Sequence, residues 1–208
     1  MVGDPRFDLT DLDALAARFE APSLASTVKE LDHIDAHYGA LIAASPFVAL
    51  ATSGADGLDC SPRGDAAGFV EVVDPRTLVL PDRRGNNRLD SLRNLVVDPR
   101  LALLFLIPGV AETLRVNGRA RLSTDPALTA RYAVEGRAPK LVLVIAVEAV
   151  FYQCARAVAR AQLWDPARHV DRARLPSAGQ MLQATSQERV DGQAYDRESA
   201  ERLGKTLY

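Results

Sequence analysis

Leu78-Val-Leu-Pro-Asp-Arg-Arg-Gly-Asn-Asn-Arg-Leu-Asp-Ser-Leu-Arg-Asn-Leu-Val-Val97 is the stretch on which the reading of this chain turns. An apolar strand, Leu78 to Leu80, runs into Pro81, and a turn rich in Arg, Gly and Asn follows from Asp82 to Asn87. A helix is expected from Arg88, ending before Pro99. Asn87 stands where a side chain caps the first turn, and Asp90, three residues on, where a capping box closes. Leu89, Leu92 and Leu95 or Val96 recur at helical spacing and mark a buried face. A helix start carries unpaired N–H groups and a partial positive charge, and Arg83, Arg84 and Arg88 place full charges beside it. Such a strand-turn-helix suits a phosphate. It equally suits a well-capped surface turn with no ligand.

Working outward, the downstream run LALLFLI, 101–107, is apolar at every position and reads as a strand buried on both faces. Pro108-Gly109 breaks it. Thr113 to Ser123, TLRVNGRARLS, alternates Leu114, Val116, Ala120 and Leu122 with Arg115, Asn117, Arg119 and Arg121, a half-buried strand. Gly118 marks a bulge or a close backbone approach in it. The arginine stripe faces either solvent or a cofactor groove. A short helix over 125–134 precedes the last long strand, 141–151, where Leu141, Leu143, Ile145, Val147, Ala149 and Phe151 share a face.

Upstream, Phe47 to Ser53 and a run through Cys60 to Arg63 flank Gly54-Ala55-Asp56-Gly57, a hairpin signal. Pro62 assigns the second of these strands to an edge or a bulge. Strands over 68–73 and 77–80 enclose an Asp74-Pro75-Arg76 turn. Ser26 to Ala44 has the spacing of a long helix, with Val28, Leu31, Ile34 and Leu41 or Ile42 inside. His33 and His37 fall one turn apart on it, but no third metal ligand accompanies them, so no metal site is expected. A short helix is expected over 12–19 and three more in the tail, over 155–163, 175–181 and 194–203.

The chain has 208 residues, 48% hydrophobic and 25% charged, with a net charge of -2, which describes one globular domain without a nucleic-acid surface. Lysine occurs only at 29, 140 and 205; the bias to arginine suits phosphate binding, and coding bias alone also produces it. No leader pattern or membrane-length apolar run is seen, and Cys60 and Cys154 form neither a CxxC pair nor a zinc spacing. A cytoplasmic protein with reduced thiols is expected. No G-x-G-x-x-G, G-x-S-x-G or Walker loop is present. Six or seven strands with short turns and helices at the ends imply a mainly β chain closed as an antiparallel barrel. The expected organisation is a helical extension, 1–45, packed on a barrel domain with a helical tail, 46–208.

Three blocks carry a family resemblance: SPRGDAAGF (61–69), TLVLPDRRGNNRLDSLRNLVVDPRLALLF (77–105) and TLRVNGRARLS (113–123). Their order and spacing resemble the pyridoxamine 5'-phosphate oxidase-like family of split-barrel flavin proteins, over about Phe47 to Trp164. The tail, CARAVARAQLWDP followed by LPSAGQML, resembles an uncharacterised flavin-binding subgroup. The resemblance implies a homodimer of antiparallel split β-barrels with FMN between the subunits, and a small-molecule substrate. It implies phosphate contacts from Arg63, Asn87 and Arg88, and ring contacts from the backbone of Leu80, Pro81 and Asp82. Thr113 and Arg115 correspond to the strand that places a polar group at the flavin. Trp164, with Arg156 and Arg160, corresponds to the segment that reaches it from the other subunit. True pyridoxamine phosphate oxidases end in a basic Arg and His segment that holds the substrate; this chain ends QAYDRESAERLGKTLY, which points away from vitamin B6. The expected function is a flavin-dependent oxidoreductase, with a flavin carrier or sensor, or a deazaflavin or haem split barrel, as alternatives. No catalytic acid or base stands out.

Overall fold

The computed structural model describes residues 2–55 and 57–208. The chain divides after Glu30 into two compact units. In the first, Asp4 caps a 3-10 turn, Pro5–Phe7, and Asp11 caps α1, Leu12–Ala16; α2 is Leu24–Thr27.

The second unit, Leu31–Tyr208, holds the sheet. It opens with α3, Ala36–Ala44, started by the Asp35 carboxylate accepting from the Tyr38 N–H. The long helix expected over 26–44 is therefore two pieces. Leu31 instead bridges Val150, and the Ile34 N–H bonds to the Pro75 carbonyl, so the backbone between α2 and α3 is spent on residues far along the chain. Ile34 and Ile42 are buried as expected, whereas Val28 is exposed. His33 lies outside α3, with its ring on Asp32 at 2.8 Å, so the one-turn histidine pair is not formed. His33 and then Arg76 hold the Asp32 carboxyl down at about 2.

Seven strands follow: β1 Phe47–Gly54, β2 Gly57–Gly64, β3 Glu71–Asp74, β4 Thr77–Pro81, β5 Arg100–Leu106, β6 Thr113–Ser123 and β7 Val142–Gln153. They form one antiparallel sheet in the order β2-β1-β5-β6-β7-β4-β3. β2 is an edge strand, which is where Pro62 is tolerated, since proline has no N–H for an outer neighbour. Asp56, in the expected hairpin turn, lies outside the described residues. The remaining helices are α4 Asp90–Val97, α5 Pro126–Ala130, α6 Arg156–Ala161, α7 Ala178–Thr185 and α8 Gly192–Thr206. This is a mainly β chain with flanking helices, of split-barrel type. Among the described residues no helix is long and apolar enough to cross a membrane.

The core gathers Ile42, Val48, Leu50, Leu78, Leu80, Leu103, Phe105, Leu114, Val116, Leu143, Ile145 and Val150, all essentially without solvent contact. Each such side chain contributes roughly 1.5–3 kcal/mol through burial. β5 differs from its expected double burial. Leu101, Leu103 and Phe105 are inside, but Leu104 stands partly in solvent on the outer face.

β7 also departs from the expected pattern. Its inward residues are Leu143, Ile145 and Val147, then Val150 rather than Ala149. The cause is a bulge: Gly118 pairs with Val147 and Asn117 with Ala149, so Glu148 is the extra residue and the side-chain alternation shifts by one. Gly118 is required there. A Cβ on it would lie 2.2 Å from the Ala146 carbonyl oxygen. Replacing Gly118 by Ala should cost about 2 kcal/mol, read as a lower midpoint in urea unfolding; an unchanged midpoint would show that β6 and β7 can part at no cost.

Candidate functional site

The site begins where β4 ends. Pro81 closes β4, and residues 82–89 cross to α4 with Asn87 and Leu89 both in left-handed backbone conformation. The helix starts at Asp90, not Arg88, and Leu89 is its cap residue, with no side-chain hydrogen bond to the first turn. The expected Asn87 cap and Asp90 capping box are thus absent. A residue twisted to φ 59 at 87 does not have the extended backbone that N-capping needs, and Asp90 bonds to Arg88 instead. Leu92 and Leu95 are buried as expected, while Leu89 and Val96 are exposed. The N–H groups of the first turn consequently lack a capping side chain.

Two arginines meet that turn. Arg63, near the end of β2, donates from Nη2 to Ser91 Oγ at 3.0 Å and from Nη1 to its neighbour's carbonyl, Pro62 O, at 2.9 Å. Arg88 donates from Nε to Asp90 Oδ2 at 2.8 Å. Their exposures differ: the Arg63 side chain is 21% exposed and that of Arg88 73%. Ser91, only 2% exposed, donates to Asp59 Oδ2 at 2.6 Å, and Ser61 Oγ donates to both oxygens of the same carboxylate. Asp90 first, and Asp59 at longer range, favour the charged form of Arg88. Asp59, Ser61 and Ser91 carry no sequence signal of their own; only the paired strands and the helix bring them together.

Asp82 lies 4.0 Å from Arg63 Nε. Burial pushes its carboxyl upward, and Arg63 and Lys140 offset this only in part. The next residue, Arg83, is committed elsewhere. Its Nε donates to Asp65 at 2.5 Å and its Nη1 to the Tyr132 carbonyl at 2.6 Å, with 16% and 4% of the Arg83 and Asp65 side chains exposed. Tyr208 Oη donates to the other Asp65 oxygen at 2.7 Å, the Tyr208 carbonyl accepts from Arg137, and the Arg83 guanidinium lies over the Tyr208 ring. Tyr208 thus ties the residues after α8 to the segments that follow β2 and β4.

Thr113, Arg115, Arg156 and Trp164 form a second group. Thr113 pairs with Gln153, and the Arg115 guanidinium lies 5.0 Å from the centre of the Phe151 ring. Arg156 opens α6 in solvent, and the Trp164 indole N–H donates to the Val110 carbonyl at 2.7 Å. From Arg63 the ladder to this group crosses β1 and β5 before β6, roughly 14 Å at the usual strand spacing. Leu80 and Pro81 pair with Leu143 and Val142, at the other end of β7 from Gln153. The expected site residues therefore fall into two sets within one chain: Arg63, Leu80, Pro81, Asp82, Asn87 and Arg88, and Thr113, Arg115, Arg156 and Trp164. An open cleft between α7 and α8, lined by Arg172, Ser177, Gln183 and Asp196, contains neither set. Among the described residues no group of three or more His, Cys, Asp or Glu gathers as a metal site.

Comparison with known proteins fits this architecture. The family model for pyridoxamine 5'-phosphate oxidase matches residues 34–154, more than half of the chain. The chain belongs to the pyridoxamine 5'-phosphate oxidase family. No curated protein matches it. Among solved structures, HupZ of Group A Streptococcus is similar at 20% identity, over 57% of this chain and 93% of that one, with a TM-score of 0.46. A Lactobacillus delbrueckii protein provisionally assigned as a pyridoxamine 5'-phosphate oxidase is similar at 22% identity, over 59% and 98%, TM-score 0.47. A Clostridium acetobutylicum protein related to general stress protein 26 is similar at 16%, over 56% and 85%, TM-score 0.45.

Burial alone would raise the Asp65 carboxyl, but Tyr208, the Ala66 N–H and Arg83 together hold it below the ordinary value. A depressed carboxylate contributes stability above its unfolded-state value, near 4, and loses it as pH falls through the lower folded-state value. Asp65→Asn should lower stability at pH 7 by about 3 kcal/mol, because Arg83 keeps its charge without an opposite charge beside it. It should also flatten the fall of melting temperature below pH 4. Equal acid sensitivity in the variant and the parent would remove Asp65 from that role.

Proposed function

We propose that this chain is a homodimeric, FMN-binding oxidoreductase of the cytoplasm, acting on a small molecule. The observation that carries the reading is the meeting of two guanidinium groups from separate elements on the first turn of α4, through Ser91 and Asp90. The donor set suits a phosphate monoester: planar guanidinium forks and a helix start with no capping side chain. Arg63 has used two of its five N–H groups, and Arg88 is held only by a neighbouring carboxylate in solvent, so both retain donors for an anion. Arg83 is left out of the phosphate set, because Asp65 and Tyr132 already occupy it.

Bound flavin would supply hydride transfer; the protein supplies binding, orientation and electrostatics. The same reading gives ring contacts to the backbone of Leu80, Pro81 and Asp82, and a phosphate contact to Asn87. The second set then belongs to the other subunit's share of the groove. A dimer is supported by the outer sheet face. Across it run Ala49, Leu104, Arg115 and Phe151 in one rung, with Phe47 and Leu104 open to solvent. An outward strand face of this composition suits a second copy rather than water.

Replacing both Arg63 and Arg88 by Ala should weaken FMN binding about 100-fold or more in a flavin-fluorescence titration, since each charge-assisted contact contributes roughly 1.5–3 kcal/mol. Unchanged affinity would remove the phosphate assignment. Reoxidation of the reduced protein by a quinone or by oxygen, sustained by a nicotinamide donor, marks an enzyme; no turnover marks a carrier. Leu104→Asp should convert the dimer to a monomer in light scattering, and a parent protein that is already monomeric would exclude the seam.

A further inference from the structure

We propose that Ser91 and Asp59 are positioning residues that aim Arg63 at the phosphate; the inference rests on the FMN reading above. Ser91 is buried, and its hydroxyl has one proton to give. At 2.6 Å from Asp59 Oδ2 that proton goes to the carboxylate, which can only accept. The Ser91 lone pairs are then left for Arg63 Nη2, at 3.0 Å. The order of the chain Arg63, Ser91, Asp59 is fixed in one direction. Ser61 fixes its far end by donating to both Asp59 oxygens. Pro62 O and Ser91 Oγ take one N–H from each Nη of Arg63, so the guanidinium plane is set before any ligand arrives. An arginine ordered in advance loses less freedom on binding, and its contacts strengthen accordingly.

The same bonds also clamp the β1–β2 hairpin to α4. Asn94 Nδ2 donates to Thr52 Oγ1 at 3.1 Å, and a Cβ on Gly54 would strike Asn94 Oδ1 at 2.1 Å, so hairpin and helix touch closely beyond Ser91. A clamp acting only on the fold would affect every flavin equally. A device that aims Arg63 affects only those with a phosphate.

The test is the ratio of FMN to riboflavin affinity, because riboflavin has the same ring and no phosphate. Ser91→Ala should weaken FMN five- to tenfold and leave riboflavin unchanged. In an Arg63→Ala background the same change should have no further effect. Ser91→Cys, which fills the same space with a poor acceptor, should repeat the loss if the alanine variant does not fold. If parent protein binds the two flavins equally, the phosphate reading falls and takes this inference with it. If the parent prefers FMN and both Ser91 variants keep that preference in full, or lose both flavins alike, the positioning role alone is overturned.

Discussion

The approach of the segment after β4 to the end of β2 depends on charge. β2 and β4 are not neighbours in the sheet, and Arg63 with Asp82 and Arg83 with Asp65 join the end of β2 to the segment leaving β4. Each arginine lies one or two residues from the other's carboxylate partner in sequence, so the two connections cross-link the same pair of segments. The Arg83 pair is largely out of water, where breaking one partner costs far more than an exposed pair contributes. This places the turn 82–89 and the start of α4 against the end of β2. Without that approach the arginines of the two segments would have no common target.

The same closure sorts the arginines by role. Arg83 is consumed by structure, with a carboxylate, a carbonyl and an aromatic ring around it. Arg63 is half committed, and Arg88 lies in solvent, hydrogen-bonded through its guanidinium to Asp90. A cationic turn in sequence is thus a mixture of fasteners and donors. Their physical difference is burial: guanidinium groups out of water must be paired, while an exposed one can exchange its partner for a ligand. Left-handed residues 87 and 89 add to this by starting α4 without a side-chain cap.

Much of the fold was legible in local pattern. Pro62 points to an edge or a bulge and stands on an edge strand, Gly118 points to a bulge or a close backbone approach and lies against Ala146 opposite the Glu148 bulge, and the alternation over 113–123 is that of a half-buried strand, because each follows from backbone donors or side-chain period. What failed was what local pattern cannot carry. The residues before α3 have helical spacing, yet Leu31 gives its backbone to Val150 in β7 and Ile34 donates to Pro75 in the β3–β4 turn, both far along the chain. Asn87 and Asp90 have capping spacing, but turn geometry set by the crossing from β4 decides the cap. The family resemblance together with residue type points to Arg63 and Arg88, and the structure brings both to the first turn of α4. Asp59 and Ser91, 32 residues apart, and Asp65 and Tyr208, 143 apart, have meaning only once the strands pair.

The central claim is that arginines from β2 and from the turn before α4 share one phosphorylated, coloured ligand. The most direct measurement is the absorption spectrum of the protein as purified, with mass spectrometry of whatever heat releases. The account predicts the two bands of an oxidised flavin and a released mass equal to FMN. A deazaflavin or haem spectrum, or a colourless protein that stays colourless after incubation with excess FMN and gel filtration, would contradict it.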